Sequence, residues 1–246
     1  KHLLDYDDVA NDQRRVVYNQ RNELMEADEI GDTILEMRHD VFEEIVARYV
    51  PPGSIDEQWE IPALVQALEG EFGIQVPVSE WLETDENIHE EVLRERVVEE
   101  VDKHFLEKEE QTGAEVMRHF EKALMLNVLD QKWKDHLASM DYLRQGIGLR
   151  GYAQKQPMQE YKRESYEMFT SLLDNIKHEV IRILARVQVK AEEDVEAVEE
   201  QRKTDAPMQF RHDEAGSATA APQGGQPQGA GQPNPEPFVR DGRKVG

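Results

Sequence analysis

The stretch Gly146-Ile-Gly148-Leu-Arg-Gly151 spells G-x-G-x-x-G, the glycine pattern of a dinucleotide or kinase phosphate loop. That chemistry needs a strand before the loop, a phosphate-facing helix or second strand around it, and an acid about 20 residues on in a βαβ repeat. Here a helical stripe precedes the glycines and no strand pattern lies nearby, so the spacing predicts a glycine-softened hairpin tip instead. No G-x-x-x-x-G-K-[ST] occurs in the chain, so no P-loop cradle for phosphates is present. His89-Glu90-Glu91 begins like H-E-x-x-H, but position 93 is Leu and the second imidazole of a zinc site is missing. His136, beside Trp133 and Asp135, reads with the other scattered histidines as non-functional. The carboxylates fall in runs such as Glu90-Glu91 and Glu99-Glu100, the look of a wetted helix face rather than a general acid-base pair. With no cysteine, disulfides, thiolate metal sites and cysteine nucleophiles are excluded. No catalytic constellation emerges.

Binding chemistry concentrates at the same tip. Ile147, Leu149 and Tyr152 alternate with glycines and are flanked by Arg144, Arg150 and Lys155, which makes an apolar and cationic knob suited to a partner or a polypeptide. The competing reading is a loop tucked against its own domain. Two long stripes must position this tip. Leu126, Leu129, Trp133, Leu137 and Met140 step by three and four, as do Phe169, Leu172, Ile176, Val180, Ile183 and Val187, with Pro157 placed to open the second helix. Stripes of similar length on a short joint predict an antiparallel helical hairpin seamed by Trp133, Leu137, Ile176 and Val180.

The rest of residues 1–190 reads helical as well, giving an all-α fold class. Ile30, Ile34, Met37, Val41 and Ile45 mark a helical stretch from Tyr6 to Tyr49 that stops at Pro51-Pro52-Gly53, with Gly31 leaving open one long helix with a weak point or two end to end. Residues 51–113 read as a small inserted helical subdomain. In it Ser54-x-x-Glu57 fits a capping box, Pro62 opens a helix, Gly70 and Gly73 punctuate its end, and Ile88, Val92, Val97, Val101 and Phe105 form a narrow stripe. Residues 114–190 hold the hairpin, its tip at 144–156. Residues 191–246 turn from an acidic run to Pro/Gly/Gln-rich low complexity, the composition of a disordered linker.

Charge narrows the function classes. The 29 Lys+Arg against 52 Asp+Glu give a net charge of −23, and a hydrophobic share of 38% with 33% charged residues suits elongated, wet helices rather than a thick core. Nucleic acid is not an expected partner, nor is anionic lipid a generic one. Residues 114–190 run against this trend with more bases than acids, which sets the hairpin apart as a working surface. No apolar run approaches membrane-spanning length, so the chain reads as soluble and intracellular.

The stretches LLDYDDVANDQR, GAEVMRHFEKALML, WKDHLASMDYLRQGIGLRGYAQK, QEYKRES and the final GRKVG resemble the C-terminal third of the SecA family, the ATP-driven motors of bacterial protein secretion. The resemblance implies a helical scaffold over 1–50 and 114–190, a helical wing over 51–113, a two-helix finger, and a C-terminal linker from 191. It implies that Tyr152 is the finger-tip tyrosine, with Arg150, Leu149, Ile147, Arg144 and Lys155 around it, meeting a translocating chain at the mouth of a SecYEG-type channel. It implies unfolded preproteins, N-terminal motor domains and a second copy as partners, and the cytoplasm and cytoplasmic face of the inner membrane as the place of work. ATP with Mg²⁺ and zinc belong to the full-length family. Their motifs are absent here, so this chain alone reads as a non-enzymatic portion of a longer protein. The reading from a different class is a stand-alone helical adaptor with the hairpin as its docking arm.

Overall fold

Every described segment with regular structure is helical. The computed structural model describes residues 2–85, 88–148 and 156–188. Seven α-helices are present among them: α1 (His2–Glu26), α2 (Gly31–Tyr49), α3 (Ile61–Ala67), α4 (Val78–Thr84), α5 (Glu90–Thr112), α6 (Ala114–Gly146) and α7 (Pro157–Arg186). The low-complexity stretch from 191 lies outside the described residues.

The first long helix is two. The chain leaves α1 after Glu26, and Gly31 becomes the first residue of α2 rather than a weak point inside one helix. Two bases from α6 hold this break. Lys122 donates to the carbonyls of Met25 at 3.0 Å and Ala27 at 2.5 Å, satisfying groups that a helix end leaves open. The Arg118 guanidinium lies so close over Gly31 that a Cβ there would come within 2.7 Å of its Nη1. Glycine at 31 is therefore a requirement of space.

From there α2 turns Ile34, Met37, Val41, Phe42, Ile45 and Val46 inward until Pro51 stops it. Side chains of the 51–113 segment pack on this face. Phe42 and Phe72 meet at a centroid distance of 4.8 Å, and Phe72 in turn faces His178 of α7 at 5.6 Å. Pro62 stands in the first turn of α3, where its missing N–H costs nothing. A wider π turn over Leu68–Phe72 carries the chain to Gly73, whose φ of 72° is the left-handed conformation that ends helices at glycine. Gly113, at φ 94°, is the sole residue between α5 and α6.

Two local expectations differ. Ser54 does not cap a helix together with Glu57; its hydroxyl donates to the Pro51 carbonyl and accepts from the Trp59 indole, while Gln58 accepts from the Ile55 N–H. On α5 the buried stripe is Leu93, Val97 and Val101, with Val92 36% exposed. Steps of four from 93 hold one face of a helix, whereas 92 to 97 steps five and rotates off it.

α6 and α7 lie antiparallel. Tyr161 packs with Met140 and Ile147, Phe169 meets His136, and Leu184 shares a cleft wall with Met117. Their seam and the faces of α2, α3 and α5 belong to one continuous hydrophobic cluster. The 51–113 segment therefore shares its core with the scaffold helices rather than enclosing one of its own.

Candidate functional site: the far end of the hairpin and its brace

The seam holds the lever rigid. Trp133 is 7% exposed, Ile176 3% and Val180 fully buried, with Leu137 partly buried against the same cluster. Burying such side chains stabilises by roughly 1.5–3 kcal/mol each, so the two helices move as one body. Toward the tip the packing passes to a smaller cluster of Met140, Ile147 and Tyr161, with Tyr6, Val9 and Ala10 of α1 against it. Tyr6 meets Tyr161 edge to face at 4.8 Å.

Of the tip residues singled out in the sequence, Leu149, Arg150, Tyr152 and Lys155 lie outside the described residues. Ile147 is described, and the exposed position expected of it is corrected: it is 3% exposed and packs on the α1 side of the hairpin. A glycine-rich loop next to a packed helix pair gains apolar contact by turning its first side chain inward. Arg144 is half-exposed and shared between Asp7 of α1 and Asp141 one turn back on α6. The base of the tip is thus seated on α1, by an aromatic contact on one side and an ion pair on the other.

Two exposed aromatics escaped the sequence reading. Tyr142 is 77% exposed on α6 and Tyr166 71% exposed on α7. Each stands off its helix's apolar stripe, two residues beyond Met140 and five beyond Tyr161, and a large ring off the stripe was the available signal. They add exposed aromatic surface to the two helices of the hairpin. A polar groove of about 600 Å³ also runs between the helices, walled by Lys132, Asp135 and Ser139 of α6 and by Arg163, Glu167 and Ser171 of α7.

His136 is the other residue the sequence undersold. It is 5% exposed, stacked on Trp133 at 5.4 Å, and bonded through Nε2 to Gln13 Oε1 at 2.8 Å. Burial holds its pKa below the usual histidine value. An acceptor at Nε2 assigns the ring proton there.

A second charged centre stands at the wing junction. Arg118 pairs with Glu109 of α5 and with Glu121 at 2.7 Å, and Arg38 of α2 pairs with Asp102 at 2.8 Å while lying 4.6 Å from the centre of the Phe105 ring. Glu121 is buried, and burial pushes its carboxyl up to about 7 against the pull of Arg118.

A family model described as SecA Wing and Scaffold domain matches residues 1–188. The chain belongs to this family. It is 54% identical over 246 residues to the protein translocase subunit SecA of Nitrosococcus oceani, covering all of this chain and 27% of that relative. It is 52% identical over 251 residues to the protein translocase subunit SecA of Methylococcus capsulatus, covering all of this chain and 28% of that relative. The chain thus spans little more than a quarter of the length of the curated relatives it matches. Membership favours the wing and scaffold portion of a translocase subunit over a stand-alone adaptor.

No described helix is long and apolar enough to cross a membrane. Among the described residues no three His, Asp or Glu stand close enough to hold a metal, and the chain has no cysteine. Zinc and Mg-ATP remain what the resemblance implies for the full-length family, and no step of the reading below passes through them.

Proposed function

We propose that this chain is the mechanical C-terminal portion of a SecA-type translocase, passing motion from ATP-hydrolysing domains elsewhere in the longer protein to an unfolded preprotein at the cytoplasmic mouth of a SecYEG-type channel. The observation that supports it most is the lever itself: a 33-residue α6 and a 30-residue α7 sharing one buried seam, braced along α1 and ending in Ile-Gly-Leu-Arg-Gly-Tyr. A stiff rod delivers displacement at its end with little loss. A glycine-rich end lets the contacting side chains adapt to many sequences. Tyr152 carries the grip in this reading, because its ring gives apolar contact to any peptide and still offers a hydroxyl. Arg144, Arg150 and Lys155 face acidic groups of the channel or cargo, and Leu149 adds apolar surface. The work is done as a peripheral protein at the cytoplasmic face of the inner membrane, with a second copy as a further partner.

The test is Tyr152→Ala in the full-length protein, scored as preprotein moved per ATP hydrolysed in membrane vesicles. The expected result is a strong loss of transport with unchanged folding, and a milder loss for Tyr152→Phe, which keeps the apolar face. Transport at the wild-type rate in Tyr152→Ala would refute the grip assigned to this residue.

A further inference from the structure

α1 presents a thin face to the hairpin. Of its side chains from Tyr6 onward only Gln13, Val17 and Leu24 are buried, and the contacts nearer its start are made by the partly buried Tyr6, Val9 and Ala10. A polar side chain therefore occupies the middle of a stripe where burial alone favours leucine. Both ends of its amide are used. Oε1 accepts from His136 Nε2 at 2.8 Å, and Nε2 donates to the backbone carbonyl of Ser165 at 3.0 Å. One side chain of α1 thus ties a side chain of α6 to the backbone of α7, in a pocket where Gln13 is 8%, His136 5% and Ser165 0% exposed.

We propose that Gln13 is a positioning residue, a register pin that fixes how far along α1 the α6–α7 hairpin sits and hence how far its tip reaches. Of the other contacts along α1, Tyr6 on Tyr161 and Lys122 on the Met25 and Ala27 carbonyls also oppose a slip, but none of them is a bond between two buried polar side chains. Val17 and Leu24 pack without direction, and a helix with small ridges can shift by one turn at small apolar loss. The ion pairs Arg144 with Asp7 and Arg21 with Asp130 lie partly in solvent on long side chains. Being partly solvated, they lose little when a shift separates them. The pin cannot follow. A slip of one turn, about 5.4 Å, strands two buried polar side chains without partners, and that penalty singles out one register. His136 is itself held for the purpose, stacked on Trp133 and set against Phe169 at 5.9 Å, so its Nε2 has little freedom to seek another acceptor.

The structural half of this proposal stands by itself, and its link to transport rests on the function proposed above. The experiment separates them. In the full-length protein with other cysteines replaced, spin labels at Gln20→Cys on α1 and Lys162→Cys on α7, both exposed, report the distance between the helices. Wild type is expected to give one narrow distance. Gln13→Leu, of similar volume and apolar, keeps the core filled. It is expected to add a second population displaced by about one helical turn. That population should grow roughly 25-fold, about fivefold for each of the two buried hydrogen bonds that Gln13 makes. His136→Phe keeps the ring and loses the donor, so it should behave like Gln13→Leu and serves if that variant folds poorly. His136→Gln, which restores an N–H donor, should return the single distance. Transport per ATP should fall in the first two and recover in the third. An unchanged distance distribution in both Gln13→Leu and His136→Phe overturns the pin, as does a melting temperature that falls in step with transport while the distance stays fixed. A displaced hairpin with normal transport upholds the pin and overturns the use of the hairpin in translocation.

Discussion

Replacing Glu121 by glutamine tests whether burial or charge controls the wing junction. The carboxylate of Glu121 is 7% exposed, and Arg118 Nη1 lies 2.7 Å from it. Two effects oppose each other there. Burial, helped by the nearby Glu109 charge, favours the neutral acid, while Arg118 and, more weakly, Arg38 favour the carboxylate. Burial wins, and the group titrates at about 7 in the folded chain against 4.5 unfolded. The sign follows from proton binding. Between those two values the folded state holds the proton more tightly than the unfolded state does, so rising pH removes stability across this window and leaves it level above. A difference of this size corresponds to about 3 kcal/mol. Glu121→Gln keeps the shape and the acceptor for Arg118 but cannot ionise, so it should match wild type near pH 4.5 and exceed it by about that amount above pH 7. For a domain of this size the gap amounts to roughly 6–12 °C in melting temperature. Thermal melts of the two proteins at half-unit steps from pH 4.5 to 8 would measure it. Subtracting the curves cancels His136, whose lowered pKa acts with the opposite sign in both proteins. A flat difference curve would show that Glu121 is ionised throughout and that the arginines outweigh burial, refuting the reasoning.

Gly31→Ala would gain helix propensity at an open site, yet here the new Cβ meets the Arg118 guanidinium, itself held by Glu109 and Glu121. A net loss of roughly 1–2 kcal/mol is expected by urea unfolding, since displaced charged hydrogen bonds outweigh the propensity gain; a stabilised variant would show that the arginine moves aside freely. Trp133→Ala and Ile176→Ala empty buried seam positions and should lose roughly 2–5 kcal/mol each by the same assay, with Lys162→Ala, exposed on α7, staying within about 0.5. An unchanged Trp133→Ala would contradict the packing of the hairpin.

What the sequence made legible is what period alone can carry. Helices with a wide apolar stripe declare themselves, which is why α2, α6 and α7 fall where their spacing puts them. Their spacing could not tell which of two neighbouring apolar residues turns inward, and Val92 yields to Leu93 because the face is chosen by the partner surface. Whether Gly31 bends or breaks a helix depends on Arg118 and Lys122, some 90 residues away, and no local signal encodes that. Ile147 looked exposed because its neighbours are glycines, but the tip's base rests on α1, a contact across more than 130 residues of chain. His136 had its stacking partner Trp133 beside it in sequence but no sign of its bond, since both its bonded partner and the helix that buries it come from elsewhere.

These long-range contacts share a pattern that bears on motion. The apolar cluster that joins α2, the wing and the base of the hairpin is continuous, and a continuous packed core transmits displacement as a solid does. Polar and charged contacts are set where helices change direction or change partner: Lys122 and Arg118 at the α1–α2 break, Glu109 and Glu121 beside Gly113, and Gln13 and Arg144 where α1 meets the hairpin. Such contacts are directional and switch between discrete partners, whereas apolar packing deforms gradually and resists large steps. A force applied at α1 therefore meets stiff segments joined at polar junctions. In the translocation role proposed above, those junctions, rather than the seam of the hairpin, are where the reach of the tip would be set.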